Sequence, residues 1–598
     1  MRWSGVMSGL AAGAALVVVS VGAATASGQP ARQGGFALRQ REHTIVLPRL
    51  APAGAASQRS GGAGQAKFVG SRATLCVGGK PSCYSSLQAA FDAAHDGDTI
   101  RVAAGTYTGG VTITKSLTVV GAGAGATVIT GGGPVVTIGA FDAVTEPTVA
   151  IDGVTITGGV ATSSALSAAW IGADNVIALG GGIEVPPATD PNDPNNLLPG
   201  ATVVVSDSVV TGNRVAPTGT FAPPAGQAPY WPLCPNGYCP FAWAKGGGID
   251  TWGALTLKNT AVTNNEVSGV ASDADGGGIN LWWTATLAMT GSTVAGNRAL
   301  ASAPNGRYAE GGGIFTDGGV SVDIQGGSVS GNTASLANVL PFDVGGGSTL
   351  DMNANGGGIH IGDGSSVQIS GTTFDGNTVV ANDPNGEPYA FDAALHPGDA
   401  ALVLRDSNLI NNKLVVTAAS SADVGPSGSV LDLYGPVTVS NTRITGNTTL
   451  VTSVNGAASA AGTVYSGDPQ STPALVSDSL IANNTVKAVS STGPATILGA
   501  GVVNEGLVTF RDTTIRNNTG TALGTSGYAL GGGIWNSLLG NPVNPVLTLL
   551  DSTVTGNTLN GSPGVLLQGG GLFATFPVTI TNSTIRGNSP DQCVGAVC

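Results

Sequence analysis

Along most of the chain, apolar and polar residues alternate in short runs separated by Gly and Asn, as in Gly248-Ile249-Asp250-Thr251-Trp252-Gly253-Ala254-Leu255-Thr256-Leu257. Alternation bounded by turn residues predicts short β-strands, each with one covered face. No repeating unit sustains a helical period. The exception precedes the repeats: Ser85-Ser86-Leu87-Gln88-Ala89-Ala90-Phe91-Asp92-Ala93-Ala94 places Leu87, Ala90, Phe91 and Ala94 on one helical face behind a Ser that can cap it.

The alternation belongs to a repeat. A block ending in Asn, such as Ser206-Asp207-Ser208-Val209-Val210-Thr211-Gly212-Asn213, recurs with its Asn at 213, 265, 297, 332, 377, 412, 447, 484, 518, 557 and 588. A second block, triple glycine followed by an aliphatic residue, begins at Gly180, Gly246, Gly276, Gly311, Gly356, Gly531 and Gly569. From Gly246, Gly276, Gly311 and Gly356 to the next block-ending Asn is 19, 21, 21 and 21 residues. A core unit this short, made of strands and turns, predicts a β-solenoid whose coils stack at ~4.8 Å. Equivalent residues then form columns. Ile249, Ile279, Ile314, Ile359 and Ile534 are expected inside, and Asn297, Asn332 and Asn377 at a turn where amides bond along the axis. An open solenoid end presents unpaired backbone groups, so the 85–94 helix is expected to cap it.

Composition narrows the class. The chain has 94 glycines in 598 residues, 42% apolar residues and 10% charged ones. There is no Gly-x-y period, which excludes collagen, and the low charge argues against disorder. Residues 1–101 carry ten Lys/Arg against four Asp/Glu, whereas the remainder carries thirteen against thirty-two within a net charge of −13. The acidic repeat region is expected to repel nucleic acid and anionic membranes. Arg2, the apolar run from Leu10 to Val21 and Ala24-Thr25-Ala26 follow the pattern of a secretory signal over residues 1–26. The run is shorter than the ~20 residues of a membrane helix, so no transmembrane span is expected after cleavage. Residues 27–70 read as a flexible Gly/Ala/Arg-rich linker, and 71–598 as the solenoid, closed near its last cysteines. A secreted, extracellular monomer is the expectation. Six cysteines fall in close pairs, and in an oxidising compartment these are expected as Cys76–Cys83, Cys234–Cys239 and Cys593–Cys598.

Leu87-Gln88-Ala89-Ala90 followed by Gly97-Asp98-Thr99-Ile100-Arg101-Val102-Ala103-Ala104-Gly105-Thr106-Tyr107, then Leu117-Thr118-Val119-Val120-Gly121 and Val128-Ile129-Thr130-Gly131, resembles the opening of the pectin-lyase-like group. The resemblance covers roughly residues 84–588. It implies an all-β, right-handed parallel β-helix of about a dozen coils, three-faced, with a short N-terminal capping helix and long loops on one side. The group spans polysaccharide lyases, glycoside hydrolases, phage tail spikes and non-enzymatic surface proteins, so the fold alone assigns no chemistry.

Candidate chemistry comes from comparing units in register. Before the triple glycine stand Lys245, Asp275, Glu310 and Asn355, and after the aliphatic residue Asp250, Asn280, Phe315 and His360. Two positions on come Trp252, Trp282, Asp317 and Gly362, with Asp363 next. These columns are expected on one outer face. There, indoles pack on sugar rings while carboxylates and amides bond hydroxyls, which suits an extracellular polysaccharide. The interval from Asn213 to the next triple glycine is 33 residues, against 11 to 14 after Asn265, Asn297, Asn518 and Asn557. That insertion holds Trp231, Cys234, Tyr238, Cys239 and Trp243, and an inserted aromatic loop is a natural binding element. The leading reading is a binding or surface-structural protein that grips polysaccharide through Trp231, Tyr238, Trp243, Trp252, Trp282 and His360. The alternative is a polysaccharide lyase or glycoside hydrolase with acids among Asp250, Asp275, Glu310 and Asp317. Two coil steps of ~4.8 Å put Asp250 and Asp317 near the carboxylate separation of inverting glycosidases, about 6.5–9.5 Å. The chain has no Asn-Thr-Asp, Asp-Asp or Gly-His-Gly segment of the polygalacturonase-like hydrolases. No metal or other cofactor is expected. Calcium is the weaker option, because Asp273 and Asp275 precede their glycines instead of following a calcium nonapeptide.

Overall fold

The computed structural model describes residues 72–595 apart from 142, 164–175, 192, 219–241, 269–272, 303–306, 338–352, 384–387, 420–421, 424–429, 468–471 and 539–543. It is an almost all-β, right-handed parallel solenoid of about a dozen coils with, among the described residues, one short helix, Leu87–Ala93. One coil illustrates the path. Wall 1 (Ala254–Lys258) turns into wall 2 (Ala261–Thr263), then an outgoing strand (Glu266–Val267), a return strand (Asp273–Asp275) and wall 3 (Ile279–Leu281). The chain then enters wall 1 of the next coil at Thr286–Thr290. Stacked, the walls form parallel sheets of 15, 14 and 14 strands, and the outgoing strands a sheet of 11. The return strands form sheets of six and five, and Ala188–Asp190 pairs antiparallel with Asp193–Leu198.

Alternation sends Leu255 and Leu257 of wall 1, Val262 of wall 2 and Ile279 and Leu281 of wall 3 into the main core. The aliphatic column runs Ile249, Ile279, Ile314, Ile359, Leu395 and Leu431, in register. Asn265 donates from Nδ2 to Asn297 Oδ1 at 3.0 Å, and the same bond repeats from coil to coil as far as Asn557 and Asn588. Each side-chain oxygen also accepts the backbone N–H of the preceding Asn, for example Asn265 N to Asn297 Oδ1 at 2.9 Å. Gly246 opens its triple glycine at φ +68°, a conformation that disfavours any side chain. A Cβ on Gly247 would stand 2.3 Å from the Gly277 carbonyl oxygen, so close stacking of the coils excludes one there.

The helix caps the first coil. Ser86 accepts the Ala89 N–H, and Leu87, Ala90 and Phe91 enter the main core. Cys76–Cys83 is formed beside it. Cys593 is also disulfide-bonded, while Cys234, Cys239 and Cys598 lie outside the described residues, as do the 1–26 signal and the 27–70 linker.

One expectation changes. The coil is not simply three-faced, because the outgoing and return strands form an extra lobe with its own core, including Val215, Val267, Ala244, Ala274, Leu336 and Trp535. This lobe folds over the outward side of wall 3 and converts the expected outer face into an interior crevice. These strands are only two to six residues long and flank the insertions, so by alternation alone they read as loop.

Candidate functional site

The crevice is built from two columns. On wall 3, Glu184, Asp250, Asn280, Phe315, His360 and His396 pair in successive coils, and Asp432 follows. On the return sheet, Lys245, Asp275, Glu310 and Asn355 pair likewise. The expected register is therefore correct. The expected exposure is not: all of these residues are buried, Asp250 and Asp275 completely.

In the earlier coils the acids bond to other residues of the crevice. Asp250 accepts Asn280 Nδ2 at 2.7 Å, and Trp282 Nε1 reaches both its oxygens at 3.1 Å. Burial pushes the Asp250 carboxyl well above the usual range, and the nearby Glu184 charge adds to it, against the opposing donors Trp282 and Asn280. Lys245 Nζ lies 2.6 Å from Asp275 Oδ2, and 5.0 and 4.5 Å from the ring centres of Trp282 and Phe315. Burial by itself lowers the pKa of this lysine. The charges of Asp275 and Asp317 outweigh it and raise its pKa, so the ammonium persists. Glu310 accepts Asn355 Nδ2 at 3.1 Å.

Next to this network sits a tryptophan cluster. Trp252 stacks on Trp282 with centroids 4.4 Å apart, and Trp283 meets Trp252 edge-on at 4.7 Å. Trp243 approaches Trp282 at 6.3 Å. Trp252 and Trp282 are buried, a correction to their expected exposure, whereas Trp243 and Trp283 are half-buried. Ile177, Leu179 and Leu197 fill the space around the indoles and fix their orientation. Trp231 and Tyr238 lie outside the described residues.

Further along the crevice, Phe315, His360 and His396 form a continuous ring stack with centroids 5.0 Å apart at each step. His360 was expected on the surface and is instead the buried middle ring. His396 Nδ1 lies 2.7 Å from Asp392 Oδ2 and 3.8 Å from Asp432 Oδ2. Burial lowers the imidazole's pKa against the charges of Asp432 and Asp363, and raises that of Asp392 well above the carboxylate range. Tyr465, stacked at 5.8 Å on Tyr434, is pushed up by burial and by the Glu505 charge. At the rim stand Asp363 and Asp399. The Asp399 N–H donates to Asp363 Oδ1 at 3.3 Å, and burial raises the Asp363 pKa, assisted by Asp399.

Asp392, His396 and Asp432 escape the sequence reading because their coils lack a triple glycine. Their signal is spacing: His396 and Asp432 follow His360 in steps of 36 residues, close to the Asn-to-Asn interval of 35 from 377 to 412 and 412 to 447.

Among solved structures, the chain is similar to the A-module of mannuronan C-5 epimerase AlgE6 from Azotobacter vinelandii, at 15% identity over 84% of this chain and 94% of that one, with a TM-score of 0.24. At that score the likeness carries no argument about chemistry. No family model and no curated protein matches the chain. The resemblance to pectin-lyase-like proteins therefore holds for a repetitive parallel β-solenoid and no further. No helix among the described residues is long and apolar enough to cross a membrane.

Proposed function

We propose that the chain is a secreted, non-catalytic β-helix that presents a binding surface for an extracellular polysaccharide. The observation that carries this reading is the tryptophan cluster. Trp252 and Trp282 form a rigid buried base, and the half-buried Trp243 and Trp283 stand at its edge. Trp243 also lies on the return strand that follows the long aromatic insertion. Indoles held this way present flat apolar surface with little entropy left to lose, which suits the faces of pyranose rings. Asp250, Asp275 and Glu310 have internal partners, and the Asp250 carboxyl is closed off from a polymer.

The test is a polysaccharide panel on the secreted chain that scores binding and released reducing or unsaturated ends in the same wells. Binding without product, weakened about tenfold or more in Trp283→Ala and Trp243→Ala, supports the proposal; a stacked aromatic contributes about 1 kcal/mol or more beyond its buried area. Product release abolished by Asp250→Asn or Asp317→Asn, in chains that remain folded, would replace it with the lyase or hydrolase reading.

A further inference from the structure

Among the described residues, three ligating side chains converge at one place in the polar crevice. Asp392 sits at the turn between the return strand Tyr389–Phe391 and the wall 3 strand Leu395–His396, His396 ends that strand, and Asp432 ends the wall 3 strand Leu431–Asp432 of the next coil. One donor atom from each lies within 4.8 Å of the others, and all three residues are buried. Two acidic side chains meet there away from water. The Asp392 carboxyl lies within hydrogen-bonding reach of Asp432, and its Oδ1 has no hydrogen-bond donor. A carboxylate oxygen that is fully buried, beside a second carboxylate and without a donor, is the environment that a cation satisfies.

We propose that Asp392, His396 and Asp432 form a binding site for a divalent first-row transition ion, with Zn2+ as the reference ion. The donor set selects the class. One imidazole nitrogen with two carboxylates suits Zn2+ or its neighbours, whereas Ca2+ takes six to eight oxygens and disfavours nitrogen. The dimensions agree. Ligands about 2.1 Å from a tetrahedral ion lie about 3.4 Å from one another, and the distances from His396 Nδ1 to the two carboxylates, 2.7 and 3.8 Å, fall on either side of that value. Opening the shorter contact by roughly 0.7 Å admits the ion.

The surroundings hold the ligands in place. His360 stacks on His396 at 5.0 Å and fixes the plane of its ring. Asp392, at φ +43°, occupies the left-handed turn position that Gly356 holds at φ +59° in the preceding coil, so the turn itself sets where its carboxyl starts. Asp363 is near enough for its charge to act on His396, and with half-exposed Asp399 it forms an acidic rim that draws a cation inward. Bound there, the ion joins two successive coils through wall 3. This site is independent of the tryptophan cluster and of any polysaccharide.

The test uses the full secreted chain, stripped with chelator and then exposed separately to Zn2+, Co2+ and Ca2+. The expected result is about one Zn2+ retained per chain through gel filtration, a rise in Tm with Zn2+, and visible d–d absorption on Co2+ addition. Retention and absorption should both be lost in His396→Gln and Asp432→Asn, whose folding is checked by circular dichroism. The Co2+ spectrum of the unaltered chain needs no variant, so a misfolded mutant does not remove the test. Three results would overturn the proposal: no Zn2+ or Co2+ retained by the folded chain, metal retained equally by both variants, or Ca2+ displacing Zn2+.

Discussion

Lys245 and Asp275 form an ion pair at 2.6 Å in which neither side chain is more than 6% exposed. Removing one partner leaves the other charged and dry, so Asp275→Asn should destabilise the protein by about 3–5 kcal/mol, whereas replacing both by apolar residues of similar volume should be nearly neutral. Urea unfolding of the single and double variants measures the difference. Glu146 makes a prediction about pH. Burial raises its carboxyl to about 7 against the Ala140 backbone hydrogen bond, from an ordinary 4.5. A raised acid favours the folded state while protonated, so its contribution is complete below pH 4.5 and is lost as the pH climbs through about 7. Glu146→Gln should therefore raise Tm by about a degree or two at pH 8 and leave it unchanged at pH 4. At this scale the sequence revealed facing but not exposure. Alternation correctly put Ile249 and Asp250 on opposite sides of their strand, yet Asp250 is as buried as Ile249 because a second layer lies over it. The column itself held a clue further along, where Tyr465, Val503 and Trp535 occupy the same position and are too apolar for an open face.

Among the elements, the asparagine column was legible and the return strands were not. The column repeats a whole block, so its Asn residues announce themselves in sequence, and a side-chain amide matches the coil spacing with one donor and one acceptor. A hydroxyl column in the same blocks lines the corner between walls 1 and 2. There Ser292 Oγ accepts the Thr260 N–H at 3.1 Å, and Ser407 Oγ accepts the Thr372 N–H at 3.2 Å. The return strands hide because each is short and follows an insertion of variable length, which breaks the period that marks the other columns. Asn377 measures what the ladder contributes. Its Nδ2 donates to the Val329 carbonyl at 2.8 Å and to Asn412 Oδ1 at 3.0 Å, while its Oδ1 accepts from the backbone and side chain of Asn332. Asn377→Ala leaves several of these buried groups without partners and should cost about 3 kcal/mol, at about 1–3 kcal/mol per unsatisfied group. Hydrogen exchange should locate the loss, with the Asn332 amide exchanging faster and amides several coils away unchanged. Uniform acceleration along the whole solenoid would mean that the ladder acts globally, not between neighbours.

For the whole molecule, a stack of coils in which each pairs with its neighbours leaves the first coil with nothing beneath it. The cap answers this strand by strand. Thr74–Val77 pairs with Thr99–Val102 and extends wall 1 by one strand. Wall 3 begins at Val111–Ile113, and there the helix substitutes for a strand: Gln88 Nε2 donates to the Thr112 carbonyl at 3.1 Å, and Gln88 Oε1 accepts the Thr112 N–H at 2.9 Å. Lys115 Nζ anchors the other end of the helix by donating to the Phe91 and Asp92 carbonyls at 3.2 and 2.7 Å. A glutamine amide carries one acceptor and a donor in the geometry of a peptide group, so Gln88 closes the edge without offering a template for another chain. Two alterations then separate helix stability from edge protection. Ser86→Ala removes the helix cap and should cost about 1 kcal/mol while leaving the association state unchanged. Gln88→Ala keeps the helix, since Ala is a good helix former, but bares the Thr112 N–H and carbonyl; combined with deletion of 72–84, it exposes two wall edges at once. That variant should form concentration-dependent oligomers by light scattering, and a fully monomeric variant would show that the paired backbone of the first coil needs no cover.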